Sequence, residues 1–177
     1  SDLCLFQYKN KKYKIMKTVL VTGGAGFIGS CLTNYLVEKL SYDVVVLDDL
    51  SGGFTENING NVKFYQATIN DIDKLETIFK THNFDYIYHL AAYAAEGLSH
   101  FVRHFNYQNN LIGSINLINA SIRHNVSSFI FTSSIAVYGS LQSPISEIDT
   151  PRPEDPYGIA KLAAEKFGVA ILYHSII

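Results

Sequence analysis

Tyr157 and Lys161 stand four apart in a helix-like stretch, so both side chains share one helix face. A phenol is a poor base at neutral pH, with an ordinary pKa of about 10. A neighbouring ammonium favours the phenolate and lowers that value. The pair is therefore a candidate proton acceptor, although the same spacing is common on helix surfaces and only its company gives it weight. Ser133 and Ser134 follow an apolar run, and either hydroxyl could hold a substrate oxygen beside the phenol. Upstream, Thr22-Gly23-Gly24-Ala25-Gly26-Phe27-Ile28-Gly29 satisfies both Gly-x-Gly-x-x-Gly and Gly-x-x-Gly-x-x-Gly. Glycine belongs there if the chain must turn sharply, bring backbone N–H groups to a pyrophosphate and pack a helix tightly on a strand. Asp48, 19 residues beyond Gly29, stands where a carboxylate accepts hydrogen bonds from the adenine-ribose hydroxyls. It would repel a 2′-phosphate, which selects NAD over NADP, with Asp49 alongside as the alternative partner.

These residues need a scaffold, and the hydropathy pattern supplies one. Thr18–Val21 reads as a strand that runs through the glycines into a helix over Phe27–Leu40. Asp43–Asp48 is a continuous apolar run closed by acids, as suits a strand covered on both faces. A third strand is expected at Val62–Tyr65, a helix at Ile72–Phe79 capped by Asp71, and a fourth strand at Phe84–Leu90. One long helix over Phe101–His124 and a fifth strand at Ser128–Ser133 follow. Asp155-Pro156 then opens a last helix over Tyr157–His174, the acid at the N-cap and proline in the first turn. Alternating strands and helices imply right-handed crossovers and an α/β, Rossmann-type, doubly wound parallel sheet with helices on both faces. Residues 1–15, rich in lysine and ahead of Met16, read as a leader or disordered arm, the alternative being a short extra strand. Residues 16–177 form the nucleotide-binding domain.

With its motifs taken in order, the chain resembles the extended short-chain dehydrogenase/reductase family, and within it the nucleotide-sugar epimerase branch. The motifs are the glycine turn, Leu47-Asp48-Asp49-Leu50-Ser51, His89-Leu90-Ala91-Ala92, Asn109-Asn110, Thr132-Ser133-Ser134 with Val137-Tyr138-Gly139, and Pro156-Tyr157-Gly158-Ile159-Ala160-Lys161. The resemblance implies that Ser134, Tyr157 and Lys161 carry the chemistry, with Lys161 also bonding the nicotinamide ribose. It implies that Gly23, Gly26, Phe27, Ile28, Gly29, Asp48, Asp49, Leu90, Ala91, Ala92 and Asn109 line the cofactor NAD, along with Thr68 and Ile69. The implied reaction is transient oxidation of a nucleotide sugar, expected to be a UDP-sugar: Tyr157 takes a hydroxyl proton as hydride leaves for NAD, and the keto-sugar regains it on its other face. The Tyr157 pKa is expected below its free value.

Departures from the family pattern narrow this. Sugar dehydratases of the family carry Thr-Asp-Glu where this chain has Ser134-Ile135-Ala136, so the acid for eliminating water is missing and dehydration is disfavoured. Where the family often has Gly-Asp-Ile or Gly-Asp-Leu, with its acid at the adenine, the chain has Ala67-Thr68-Ile69, whose hydroxyl can still accept a hydrogen bond. Family members continue into a C-terminal lobe that closes over the sugar, whereas this sequence stops at Ile177. A non-catalytic NAD-binding module or an inactive truncated fragment is the rival reading. The resemblance also suggests a homodimer through the Phe101–His124 and Tyr157–His174 helices.

Composition excludes several other classes. A formal charge of −2 with no basic patch beyond the N-terminal lysines gives no footprint for nucleic acid. No apolar run reaches the ~18 residues of a membrane span. Two cysteines make no disulfide framework, which suits a cytoplasmic setting, and Cys31 reads as a small core residue. No metal site is expected, because His100, His104 and His124 lack a carboxylate pattern and His89 reads as satisfied by local hydrogen bonds.

Overall fold

The computed structural model describes residues 16–140 and 144–174, with the side chains of the last helix described as far as 168. The expected leader at 1–15 lies outside the described residues. Five parallel strands, β1 (Thr18–Thr22), β2 (Asp43–Asp48), β3 (Lys63–Gln66), β4 (Tyr86–His89) and β5 (Ser128–Phe131), lie in the order β3-β2-β1-β4-β5. That order reverses direction at β1, and the C-terminal edge beside such a switch point is where open α/β sheets bind ligands. The Rossmann-type expectation therefore holds.

Strand periodicity divides the core. Leu20, Val45, Leu47 and Ile87 point to the face covered by α2 (Ile72–Thr81) and α5 (Gly113–Arg123), where Leu75, Ile78, Phe79 and Leu117 meet them. Val19, Val21, Val44 and Val46 point to the opposite face against Leu36 of α1 (Phe27–Glu38). Both faces are buried, which is why β1 and β2 read as unbroken apolar runs. The Asp71 carboxylate accepts from Lys74 N at 2.9 Å, so α2 begins as its N-cap residue requires. Phe84, expected in the fourth strand, instead packs edge-on to Phe79 with centroids 5.2 Å apart, and β4 starts two residues later.

Two expectations need correction. The helix expected over Phe101–His124 begins at Arg103 and is not α-helical throughout: after α3 (Glu96–Ser99), α4 (Arg103–Tyr107) passes through a π-helical turn at Gln108–Ile112 into α5 without leaving helical backbone. Apolar spacing could not reveal this, because the wider turn is set by polar side chains rather than by the apolar stripe. Cys31 is exposed rather than buried, since its position on α1 faces away from the sheet.

The wide turn belongs to a buried polar chain that runs through six elements, from β1 and β4 through α5, the π turn and α4 to the last helix. Thr22 Oγ1 lies 2.7 Å from His89 Nδ1, and His89 Nε2 lies 2.9 Å from Ser114 Oγ. Ser114 donates its one hydroxyl proton to Asn110 O at 2.8 Å. His89 Nε2 must therefore donate to Ser114, and Nδ1 must accept from Thr22, which fixes one neutral tautomer. From Asn110 the chain continues: its amide donates to Tyr93 O and to Asn106 Oδ1, and Asn106 donates to Pro156 O at 2.8 Å. Pro156 opens α6 (Pro156–His174). Burial, with the Lys161 charge as a smaller cause, pushes the His89 pKa down to about 3.

A base whose folded pKa is depressed leaves the unfolded chain to bind the proton first. The stability it contributes is whole above about pH 6.5 and is lost as the pH falls from there towards about 3. Denaturant unfolding between about pH 7 and pH 5 should show falling stability. His89→Gln should be less stable at neutral pH but fall less steeply, His82, also depressed by burial, supplying the remaining slope. Equal slopes in the two proteins would remove His89 from this account.

Candidate functional site

The glycine turn is built by contacts that leave no room for side chains. Gly23 has φ +74°, and a Cβ there would lie 2.7 Å from Ala91 N. At Gly29 a Cβ would lie 2.1 Å from Gly23 O, so α1 can approach β1 only with glycine. Asp48 buckles the turn to β2: one carboxylate oxygen accepts from Ala25 N at 3.0 Å and the other from Leu50 N at 2.8 Å. Asn57 clamps the same residue, donating to Ala25 O at 2.8 Å. At the start of α1, with no acid in the first turn and no side-chain cap, the N–H groups of Phe27, Ile28 and Gly29 donate to nothing among the described residues. Free N–H groups at the positive end of a helix suit an anion such as a pyrophosphate. This is the observation on which a dinucleotide fits the site.

Around the turn runs a cleft of about 360 Å³ along the C-terminal edge of the sheet. Its walls follow strand order: Thr68 and Ile69 beyond β3, Asp48 and Asp49 at β2, Gly23 and Gly26 beyond β1, and Leu90, Ala91 and Ala92 beyond β4, with Asn109 from the π turn facing them. Phe27 and Ile28 do not line it with their side chains, which are exposed; only their backbone N–H groups are available to it. Gly29 is a packing residue here. Beyond the end of β5 lies a second cleft holding Ser134 with Ser133, Tyr138 and Glu165.

Asp155 begins α6 as expected, its carboxylate accepting from Gly158 N at 2.9 Å. Gly158 lets the helix press on the turn Ile135–Tyr138, since a Cβ would come 2.4 Å from Ala136 O. Ser134 Oγ accepts from Ala136 N at 3.2 Å and so anchors that turn. Tyr157 and Lys161 are both buried, and neither lines either cleft. Lys161 Nζ donates to Thr132 O at 2.8 Å and sits 4.8 Å over the Phe131 ring and 5.7 Å from the Tyr157 ring centre. Burial pushes its pKa down to about 8, against the opposing charge of Glu165.

The Tyr157 expectation is reversed in the chain alone. Burial raises its pKa above the free value; the Ser134 hydroxyl pulls it down, and the charges of Glu96 and Asp155 add to the rise. Sequence reasoning counted the ammonium and not the desolvation of the phenol, and the ammonium is turned to the Thr132 carbonyl.

Sequence reasoning also passed over several participants. Glu165, four residues after Lys161, accepts from Ser133 Oγ, and that spacing was the available signal. Gly52 and Gly53 close one side of the cleft beside Ser51, and Asn106 joins Asn110 in tethering its far wall to α6. Among the described residues no group of three or more His, Cys, Asp or Glu could hold a metal ion, and no helix is long and apolar enough to cross a membrane.

Comparison with known proteins agrees with this arrangement. The chain is 42% identical over 149 residues to the UDP-glucose 4-epimerase of Halalkalibacterium halodurans, covering 84% of this chain and 44% of the relative. The UDP-glucose 4-epimerase of Thermotoga maritima, solved with UDP-glucose, superposes with TM-score 0.82 at 42% identity, covering 85% of this chain and 49% of that one. The Thermus thermophilus UDP-glucose 4-epimerase, solved with NAD, gives TM-score 0.84 at 33% identity over 89% of this chain and 51% of its own. The chain thus spans about half the length of the relatives it matches. Residues 19–172 match the NAD dependent epimerase/dehydratase family, and the chain belongs to that family.

Proposed function

We propose that this chain is the NAD-binding and proton-transferring part of a nucleotide-sugar 4-epimerase acting on a UDP-sugar. The observation that carries the reading is the single sheet edge on which an anion-ready helix start and the Asp48 carboxylate line one cleft and Ser134 lines a second, with the buried Tyr157 and Lys161 packed beside Ser134 and Thr132. Phe27, Ile28 and Gly29 would offer their free N–H groups to the pyrophosphate, with Gly23 and Gly26 clearing its path. Asp48 keeps one lone pair on each oxygen for the ribose hydroxyls, and its charge opposes a 2′-phosphate. Leu90, Ala91 and Ala92 would form an apolar wall, and Asn109 would face it.

At the sugar, Ser134 would hold the reacting oxygen and Tyr157, as phenolate, would take its proton. When bound, NAD supplies the hydride acceptor and a positive charge that favours the phenolate. Lys161, at about pKa 8, carries its own charge below that pH and would add to the effect while bonding the nicotinamide ribose. The side chains at 135–137 are apolar, so nothing there can donate the proton a dehydration needs. A second reading, NAD binding without turnover, rests on the raised Tyr157 pKa and on Lys161 being engaged with Thr132.

Exposed Phe101, Leu98, Ile112, Ile122 and Ile159 on the α3–α5 region and α6 support a homodimer through these segments. The free thiol of Cys31 and the absence of a long apolar helix among the described residues fit a cytoplasmic setting.

Calorimetric titration should find NAD bound at least about tenfold more tightly than NADP, with Asp48→Ser narrowing the gap and weakening both. Equal affinities in the wild type would remove Asp48 from cofactor choice. Incubation with NAD and UDP-glucose should yield UDP-galactose, and Tyr157→Phe should lose about a hundredfold or more of that rate while still binding NAD. Full activity in Tyr157→Phe would overturn the assignment, and NAD binding without product in the wild type would favour the second reading. In sedimentation the chain should run as a dimer that Phe101→Asp dissociates.

A further inference from the structure

The far end of the cleft, beyond β3, is built from amides whose hydrogen bonds run in one direction. Asn109 Nδ2 donates to Phe105 O at 2.8 Å, which turns Asn109 Oδ1 towards Asn70 as an acceptor. Asn70 Nδ2 therefore donates, at 3.2 Å to Asn109 Oδ1 and at 3.4 Å to Thr68 Oγ1. Gln108 Nε2 closes the set by donating to Asn70 Oδ1 at 2.9 Å, so Asn70 has no freedom to flip. Asn70 N also donates to Thr68 Oγ1, at 3.2 Å.

Thr68 Oγ1 thus receives two donors, and a hydroxyl oxygen has two lone pairs, so the expectation that it could still accept a hydrogen bond at the adenine is corrected. What it has left to offer the cleft is its proton. Next to it the Ile69 N–H donates to nothing among the described residues. The Asp71 carboxylate, three residues on, caps α2, and the two acids that share the cleft, Asp48 and Asp49, accept from backbone N–H groups at the end of β2.

Strand order determines what meets these donors. If the pyrophosphate lies at β1 and the ribose at β2, the base lies one strand further out, at Thr68 and Ile69 beyond β3. A 6-amino group brings donors to a hydroxyl whose acceptor capacity is already used. A 6-oxo group brings an acceptor to its free proton.

Resting on the NAD reading above, we propose that Thr68 reads the 6-position of the dinucleotide's base as a hydrogen-bond donor, so that a hypoxanthine dinucleotide is accepted as well as the adenine one. Thr68 is then the residue that sets base tolerance in this chain. A hydroxyl that offers only its proton does not reject a 6-oxo group, whereas one free to accept from the amino group would favour adenine.

Calorimetric titration of the chain with NAD and with nicotinamide hypoxanthine dinucleotide tests this. The two dissociation constants should agree within about threefold, and Thr68→Val, which keeps the shape and removes the proton, should shift their ratio at least about fivefold towards NAD. A wild-type preference for NAD of tenfold or more overturns the proposal while leaving the cofactor reading intact, as does a ratio unmoved in Thr68→Val when circular dichroism shows the variant folded. Binding of neither dinucleotide overturns the cofactor reading and this proposal together.

Discussion

The arrangement of this protein depends on one histidine that is kept from becoming charged. His89 is fully enclosed at the end of β4, between a threonine that immediately precedes the glycine turn and a serine on α5. Each neighbour has a single proton, and the direction of the whole chain follows from where the first is committed. Ala91 N closes the near end onto Thr22 Oγ1 at 3.3 Å, fixing the cleft wall against the turn. At the far end, Asn110 pairs with both the N–H and the C=O of Tyr93, as a neighbouring strand would. The π turn is the geometric cost of setting Asn110 there. A buried polar network of this kind is stable only when every member is satisfied, and here it holds the phosphate turn, the cleft wall and the start of the Tyr157 helix in one register.

Charge is handled differently at two places along the sheet edge. Near β2 a carboxylate is anchored by two backbone N–H groups yet keeps lone pairs for a ligand. Near β5, Lys161 and Tyr157 are both desolvated, and each is pushed towards its neutral form. Burial thus favours the protonated phenol at Tyr157, and the proximity of Lys161 does not by itself offset it.

Much of the fold was legible because its signals are local. β2 matched residue for residue, Asp71 and Asp155 capped the helices they were expected to cap, and the strand-turn-helix at the glycines followed from the residues alone. What escaped was set by contacts distant in sequence. The π turn within the long helix accompanies Asn110 reaching Tyr93 and Ser114 reaching His89, pairings that no periodicity encodes. Cys31 was misread because a small apolar residue on a helix gives no sign of its face. The sign of the Tyr157 shift was misread because desolvation is a property of packing. Phe27 and Ile28 belong to the candidate site through backbone N–H groups, to which side-chain identity is almost blind.

The parallel order of the sheet also acts as a ruler. Adjacent strands lie about 4.8 Å apart, so the carboxyl ends of β3 and β5 are separated by about 19 Å. A ligand that meets both Thr68 and Ser134 must therefore be extended across all five strand ends.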